Sequence, residues 1–165
     1  MALTTQQNQR ISVPGNRGIK IECSVTIHRP VEEVFAFWAD FRNLPRFFHN
    51  LESVSQLPGG TTRWKAYDPM HNLWEWDAET INHHPNELIA WRSLPGTHVP
   101  NAGSVRFRPV DQGASTQVDL KLEYDPPTGI LAPIFLAMML LPDPEKEVQQ
   151  SLYVLKDLLE DSPHA

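Results

Sequence analysis

The side chains that could move protons in this chain are few and widely separated. His49 and His71 fall near the ends of predicted strands, and Arg92 follows a tryptophan in another predicted strand. A single acid–base group in an apolar pocket can contribute to catalysis by transferring a proton. We therefore take His49, His71 and Arg92 as the catalytic candidates. The alternative is that each is an ordinary solvated side chain.

The spacing of the remaining reactive residues argues against metal and nucleotide chemistry. His83 and His84 are adjacent, so they point to opposite sides of an extended backbone, and Pro85-Asn86 beside them predicts an exposed turn. The sequence has no His-x-x-x-His or Glu-x-x-His spacing, no Gly-x-Ser-x-Gly elbow and no glycine-rich phosphate loop. We expect no metal and no cofactor.

A set of aromatic residues on predicted strands is the main functional signal. From Leu73 to Ile81, tryptophan and alanine alternate with acidic residues, which predicts a strand with one buried face and one wet face. Ligand pockets are lined mainly by apolar and aromatic side chains. The alternative for each aromatic residue is ordinary core packing. The candidate ligand-binding residues are Phe35, Trp38, Trp64, Trp74, Trp76, Trp91, Phe107 and Tyr124, with Phe135, Met138 and Met139 in a later apolar segment.

That later segment, residues 129–141, is apolar nearly all round, which is more than one buried helix stripe requires. It is shorter than the roughly 20 residues of a membrane-spanning helix, and Pro133 interrupts it. Four interpretations stay open: a cavity lid, a transient contact with a membrane surface, a homodimer contact, or a helix turn or two packed beneath a loop.

The charged residues of the tryptophan strands are predicted to face solvent. Glu75, Asp77 and Glu79 are out of phase with the tryptophans, as is Arg92, and such residues commonly pair across strands. A bulge that inverted the phase would instead bury Asp77 and Arg92 as a polar pair with catalytic potential.

The first predicted elements are a strand and two helices. Residues 19–27 are apolar at every odd position and polar at every even one, which predicts a strand with Cys23 on its inner face as a core residue. Pro30 suits the first position of a helix. Asp40 is predicted to cap a second short helix that runs through Leu44. The apolar face of the first helix comprises Val31, Val34, Phe35 and Trp38.

A strand meander and a terminal helix follow. Residues 51–56 and 61–67 read as strands joined by Pro58-Gly59-Gly60, and the tryptophan hairpin is predicted to turn at residues 82–86. Further strands are predicted at residues 104–108 and 115–124. Asp143-Pro144 is a typical helix start, and its predicted apolar stripe is Val148, Leu152, Leu155 and Leu159. The fold class is therefore α+β, with about seven antiparallel strands in the order β-α-α-β6-α.

Composition limits the class of partner. The chain has 165 residues, which suggests one domain at residues 19–160, preceded by a polar leader at 1–18 and followed by a short tail at 161–165. The net charge is −6 and the basic residues are scattered, so no nucleic-acid partner is expected. The single cysteine cannot form an internal disulfide, and no secretory signal is visible, so we expect a cytoplasmic protein.

The order of these elements resembles the helix-grip fold of the START-like superfamily, specifically its polyketide cyclase/dehydrase and lipid-transport group. Two motifs carry most of the resemblance: the P-x-E-x-V-F helix opening at residues 30–35 and the D-x-x-x-x-P-x-F segment at residues 40–47. The resemblance covers about residues 19–160. Other matching segments are residues 62–64, 76–79, 89–93, 103–107, 122–129 and 155–160.

The resemblance implies a sheet wrapped around the terminal helix, with a cavity for a hydrophobic small molecule between them. It implies no single reaction, because the superfamily shares no catalytic triad. We expect a binding or carrier protein for a lipid, isoprenoid, quinone or polyketide. One alternative is a polyketide cyclase or dehydratase that uses acid–base groups in the same cavity. Another is a protein- or membrane-interaction module that acts through residues 130–141.

Overall fold

Seven β-strands and two α-helices account for most of the residues described in a computed structural model of the chain, which are 19–68, 71–97, 100–125 and 143–161. The helices are α1 (Val31–Ala39) and α2 (Pro144–Glu160), with a 3-10 helix at Phe41–Arg46 and a shorter one at Asp111–Gly113. The strands are β1 (Ile19–Ile27), β2 (Leu51–Gln56), β3 (Thr62–Tyr67), β4 (Leu73–His84), β5 (Leu88–Ser93), β6 (Asn101–Val110) and β7 (Ser115–Tyr124).

The strands form one antiparallel sheet in the order β1-β7-β6-β5-β4-β3-β2. Every neighbouring pair from β2 to β7 is consecutive in sequence, whereas β1 joins the far edge by pairing with β7 from Ile19↔Tyr124 to Ile27↔Thr116. The sheet is curled into a half-barrel, which confirms the predicted helix-grip architecture. The concave face of this sheet holds the core.

The predicted alternation of β1 is confirmed residue by residue. Ile21, Cys23, Val25 and Ile27 are buried, and the residues between them are exposed or half-buried. One face of β1 therefore packs against the core.

The first helices begin and end close to where their sequence signals lie. Pro30 is the N-cap of α1 instead of its first residue. The Asp40 carboxylate accepts a hydrogen bond from the Arg42 backbone N–H, as predicted for a cap. The short helix that it caps is a 3-10 helix, however, and it extends past Leu44 to Arg46 with Pro45 inside.

Helix α2 lies against β1 at one edge of the sheet. Asp143 caps it and Pro144 is its first residue, as predicted. Leu152, Leu155 and Leu159 are buried on its inner face. Its hydrophobic stripe therefore packs on the strand that opens the fold.

Polar contacts fix α2 to β1. The ammonium group of Lys156 donates to the Thr26 carbonyl over 2.8 Å. The guanidinium of Arg29 donates to the carbonyls of Leu159, over 3.1 Å, and Glu160, over 2.7 Å. These carbonyls belong to the last turn of the helix, which has no intrahelical donors for them. Arg29 therefore caps the carboxyl end of α2.

Two predicted boundaries in the sheet are wrong. The predicted turn at residues 82–86 is shorter, because β4 continues to His84 past a bulge between Thr80 and Asn82. The strand predicted at residues 104–108 is longer, because β6 begins at Asn101, whose N–H donates to the Ser93 hydroxyl, and runs to Val110. In both places cross-strand pairing overrides the local turn residues.

Several predictions concern residues outside those described: the leader at 1–18, the tail beyond residue 161 and the apolar segment at 129–141 with Phe135, Met138 and Met139. Among the residues that are described, no helix has the length and hydropathy needed to cross a bilayer.

We expect Arg29→Met to lower the free energy of unfolding by about 1.5–3 kcal/mol, because hydrogen bonds from a charged donor contribute about that much. Urea unfolding followed by circular dichroism measures the change. Arg42→Met is the matched control, since the Arg42 side chain is 71% exposed and pairs with a local carboxylate, Asp40. An equal and small effect of both substitutions would contradict the capping role of Arg29.

Candidate functional site

Three tryptophans stack on the concave face of the sheet. Trp64 on β3 lies at the centre, with its ring centroid 5.9 Å from that of Trp76 and 6.1 Å from that of Trp91. Both neighbouring rings are inclined by only 22° to Trp64. Trp64 and Trp91 are buried, whereas Trp76 is half-buried at the end of the stack. We call these three residues the tryptophan stack.

Strand register explains why the three rings meet. Trp64 lies directly opposite Trp76, and Trp91 lies opposite Thr80, four residues further along β4. Ala78 occupies the position between them on β4 and is fully buried. Because alanine has a small side chain, the indoles of β3 and β5 can touch across β4.

Gly103 on β6 makes room for the third ring. It lies directly opposite Trp91 in the sheet. A Cβ atom at Gly103 would lie 2.3 Å from Cζ2 and 2.5 Å from Cε2 of the Trp91 indole. The indole therefore rests on the backbone of β6, and any side chain at residue 103 would displace it.

The 3-10 helix adds aromatic rings above the sheet. The Phe41 ring packs edge-on against Trp64 at 5.6 Å and Trp91 at 5.5 Å between centroids. Trp38 on α1 is fully buried among the rings of Phe47, Phe48 and Phe107. Phe41, Phe47 and Phe48 are not among the residues predicted for the site, although residues 40–47 contain two of them.

The polar atoms of these tryptophans differ in their partners. The Trp64 indole N–H donates to the Thr62 hydroxyl over 2.8 Å, and that of Trp74 donates to the Asp68 carboxylate over 2.8 Å. Within the described part of the chain, the indole nitrogens of Trp38 and Trp76 are buried without a hydrogen-bond partner.

Tyr124 ends β7 on the same side of the sheet and packs against the core while half-buried. Loss of hydration of the phenolate raises the pKa of Tyr124 to about 12. Its hydroxyl therefore stays protonated at neutral pH and can donate a hydrogen bond.

His83 belongs to a strand and not to the predicted turn, although it is exposed as predicted. It belongs to β4, and its ring meets the Phe35 ring edge-on at 5.4 Å between centroids. The bulge after Thr80 places His83 opposite Ile89, which is buried. No sequence signal marked this bulge.

The charged residues of β4 and β5 pair on the opposite face of the sheet. The Arg92 guanidinium lies 2.7 Å from the Glu79 carboxylate, and that of Arg63 lies 2.9 Å from Asp77 and 3.2 Å from Glu75. The bulge does not invert the phase at Asp77, so a buried pair of Asp77 with Arg92 is not formed.

The three catalytic candidates occupy separate elements. His49 is exposed just before β2, and His71 is exposed just before β4 with a positive φ of 63°. Arg92 lines a surface cleft with Glu79, Thr80 and Ile81. Their catalytic roles stay predictions.

Cys23 has the environment of a structural residue. Burial raises the pKa of its thiol, and the nearby carboxylates of Glu145 and Asp143 raise it further. A protonated thiol is a poor nucleophile and a poor metal ligand. Among the described residues, no three His, Cys, Asp or Glu side chains are grouped to hold a metal ion.

Comparison with known proteins identifies related sequences and folds. Residues 27–152 match the family described as polyketide cyclase/dehydrase and lipid transport. A solved structure from Deinococcus radiodurans is 30% identical, with a TM-score of 0.68 over 86% of this chain and 98% of the other.

Two more distant structures share the fold. An aromatase/cyclase from Streptomyces sp. R1128 is 21% identical, with a TM-score of 0.67 over 87% of this chain and 94% of the other. A START superfamily protein from Mycobacterium smegmatis is 14% identical, with a TM-score of 0.60 over 86% of this chain and 94% of the other.

We expect Gly103→Ala to lower the free energy of unfolding by about 1–3 kcal/mol, because the added methyl group overpacks the contact with Trp91. Urea unfolding measures the loss. Ser104→Ala, at the adjacent position on β6, is the control and should change stability little. Wild-type stability of Gly103→Ala would contradict the close approach of the indole to the backbone.

We expect Tyr124 to make the protein less stable as pH rises from 10 to 12. The phenol ionises near 10.0 in the unfolded chain and near 12 in the folded one, so folding retains a proton that the unfolded chain has lost. The loss is about 2 kcal/mol. Urea unfolding at several pH values should show a shallower decline for Tyr124→Phe, with Tyr153→Phe as the exposed control. An unchanged decline in Tyr124→Phe would show that its phenol is hydrated.

Proposed function

Because this chain belongs to the polyketide cyclase/dehydrase and lipid transport family, we propose that it is a binding or carrier protein for a hydrophobic small molecule held against the concave face of the sheet. The observation that carries this proposal is the tryptophan stack. Its three indoles form a flat aromatic wall on the core, and Trp76 at the end of that wall is half-buried. Its ligand would be a lipid, isoprenoid, quinone or polyketide.

The positions of the helices support this use of the face. Helix α2 packs on β1 at one edge of the sheet, and the 3-10 helix packs on β2 at the other. The tryptophan stack lies on β3, β4 and β5, between those edges, where Phe41 of the 3-10 helix covers Trp64 and Trp91 while Trp76 stays half-buried. Aromatic rings in such a position provide a large apolar contact area with fixed geometry, as ligand pockets require.

The positions of the three catalytic candidates favour a carrier over an enzyme. His49 and His71 are both exposed and come from different turns, and Arg92 is engaged by Glu79. Catalysis of acyl or proton transfer needs a nucleophile, base or acid within hydrogen-bond reach of the reacting atoms. Among the described residues we find no such converging set.

A cyclase or dehydratase is the second candidate, and Tyr124 is the observation that favours it. A phenol is protonated at neutral pH, so the Tyr124 hydroxyl can donate a hydrogen bond to a ketone oxygen and stabilise negative charge that develops there. The ligand wall would then fold a poly-β-keto chain, while Tyr124 acts as the donor.

Binding can be tested with cis-parinaric acid, a fluorescent polyene fatty acid that accepts energy from tryptophan. We expect it to bind the wild-type protein with energy transfer, and to bind Trp76→Ala about tenfold more weakly because the end of the stack is lost. Leu73→Ala on the same strand is the control, since Leu73 is 49% exposed. Absence of energy transfer, or equal affinity of the two variants, would contradict the proposal.

A further inference from the structure

Trp76 has a buried donor that the fold itself leaves unused. Its indole nitrogen has no hydrogen-bond partner within the described part of the chain, and it is buried although the residue as a whole is only half-buried. A buried donor without an acceptor costs about 1–3 kcal/mol. Native proteins rarely keep such a group without a reason.

Trp38, the other tryptophan with this property, has a packing explanation. It is fully buried, and its ring meets the Phe48 ring at 87° and the Phe47 ring at 53°. The faces of the surrounding aromatic rings are weak acceptors that an indole N–H buried among them can use.

No such explanation applies to Trp76. Its described ring contact is with Trp64, and the two planes are inclined by only 22°. In a stacked pair the N–H lies in the plane of its own ring and points away from the face of the other. The neighbouring strand residue Trp74 differs again, because Asp68 accepts from its indole.

We propose that the indole N–H of Trp76 is an anchor for a ligand oxygen, so that the ligand combines a flat apolar frame with a hydrogen-bond acceptor such as a ketone or quinone carbonyl. This inference rests on the proposed function and adds to it the polar group that the ligand carries. The flat apolar part of the ligand extends the tryptophan stack, and the ligand oxygen accepts a hydrogen bond from the indole N–H of Trp76. A hydrocarbon of the same shape would leave the donor unpaired.

The test compares two probes of equal shape, 9-fluorenone, which has a carbonyl, and fluorene, which has none. Their dissociation constants are measured by fluorescence titration with the wild-type protein and with Trp76→Phe, which keeps an aromatic ring and removes the N–H. We expect the preference for fluorenone over fluorene to fall about fivefold to tenfold in Trp76→Phe, the range expected for one net hydrogen bond. Tyr153→Phe, at an exposed position of α2, is the control and should keep the wild-type preference.

A second measurement uses the wild-type protein and so does not depend on the stability of a variant. In ¹⁵N-labelled protein the indole N–H signals are resolved by nuclear magnetic resonance, and the signal missing from Trp76→Phe belongs to Trp76. Fluorenone should shift this signal downfield, and fluorene should not. The other tryptophan indoles provide internal controls.

The outcomes separate the two proposals. If both probes bind and Trp76→Phe leaves their ratio unchanged, the anchor is wrong and the ligand-binding proposal stands. If both bind and the Trp76 signal responds equally to each, the anchor is likewise wrong. If neither probe binds, the hydrophobic ligand site fails, and the anchor fails with it.

Discussion

The approach of the Trp91 indole to the backbone of Gly103 is the contact on which the aromatic wall depends. A side chain at residue 103 would meet this ring at 2.3 Å, so the ring can lie flat on β6 only because that position is glycine. Trp64 then stacks on Trp91, and Trp76 stacks on Trp64. Phe41 packs edge-on against Trp64 and Trp91. Glycine in a strand interior is itself unfavourable. The gain from burying the large indole surface offsets that cost.

A second constraint sets where the helices lie. Hydrogen bonds from Arg29 and Lys156 hold α2 on the edge strand β1, which pairs with β7. These contacts join the first and last elements of the described structure. The helix that closes the domain therefore lies at one edge of the sheet, some strands away from the tryptophan stack. Trp64 and Trp91 belong to the same buried core as Leu152 of α2, but the ring that covers them is Phe41 of the 3-10 helix. The aromatic residues of β3 to β5 therefore extend the core toward the opposite edge of the sheet.

The sequence predicted those features that follow from short-range rules. The alternation of residues 19–27, the Asp143 cap and the stripe of α2 are local signals with a fixed period, and the structure confirms them. It did not predict the bulge after Thr80, the placement of His83 against Phe35 or the contact of Trp91 with Gly103. Each of these depends on which residues lie opposite one another across strands, and register is a property of the assembled sheet. The aromatic residues could be selected from sequence, but not which of them would lack a hydrogen-bond partner.

If the proposed ligand binds at this face, the hydrogen-bonding capacity of the face limits the chemistry of that ligand. Trp64 and Trp74 use their indole donors within the fold, whereas Trp76 does not within the described part of the chain. An indole can only donate, and the Tyr124 phenol remains protonated far above neutral pH. The indole N–H of Trp76, which has no partner among the described residues, thus matches a ligand with an acceptor oxygen better than one without. Discrimination of this kind is strong, because a ligand without the acceptor leaves a buried donor unpaired, whereas an extra methylene group changes affinity only modestly. Shape selection by the stacked rings and polar selection by a single N–H would together distinguish a carbonyl-bearing ring system from a plain hydrocarbon of the same size.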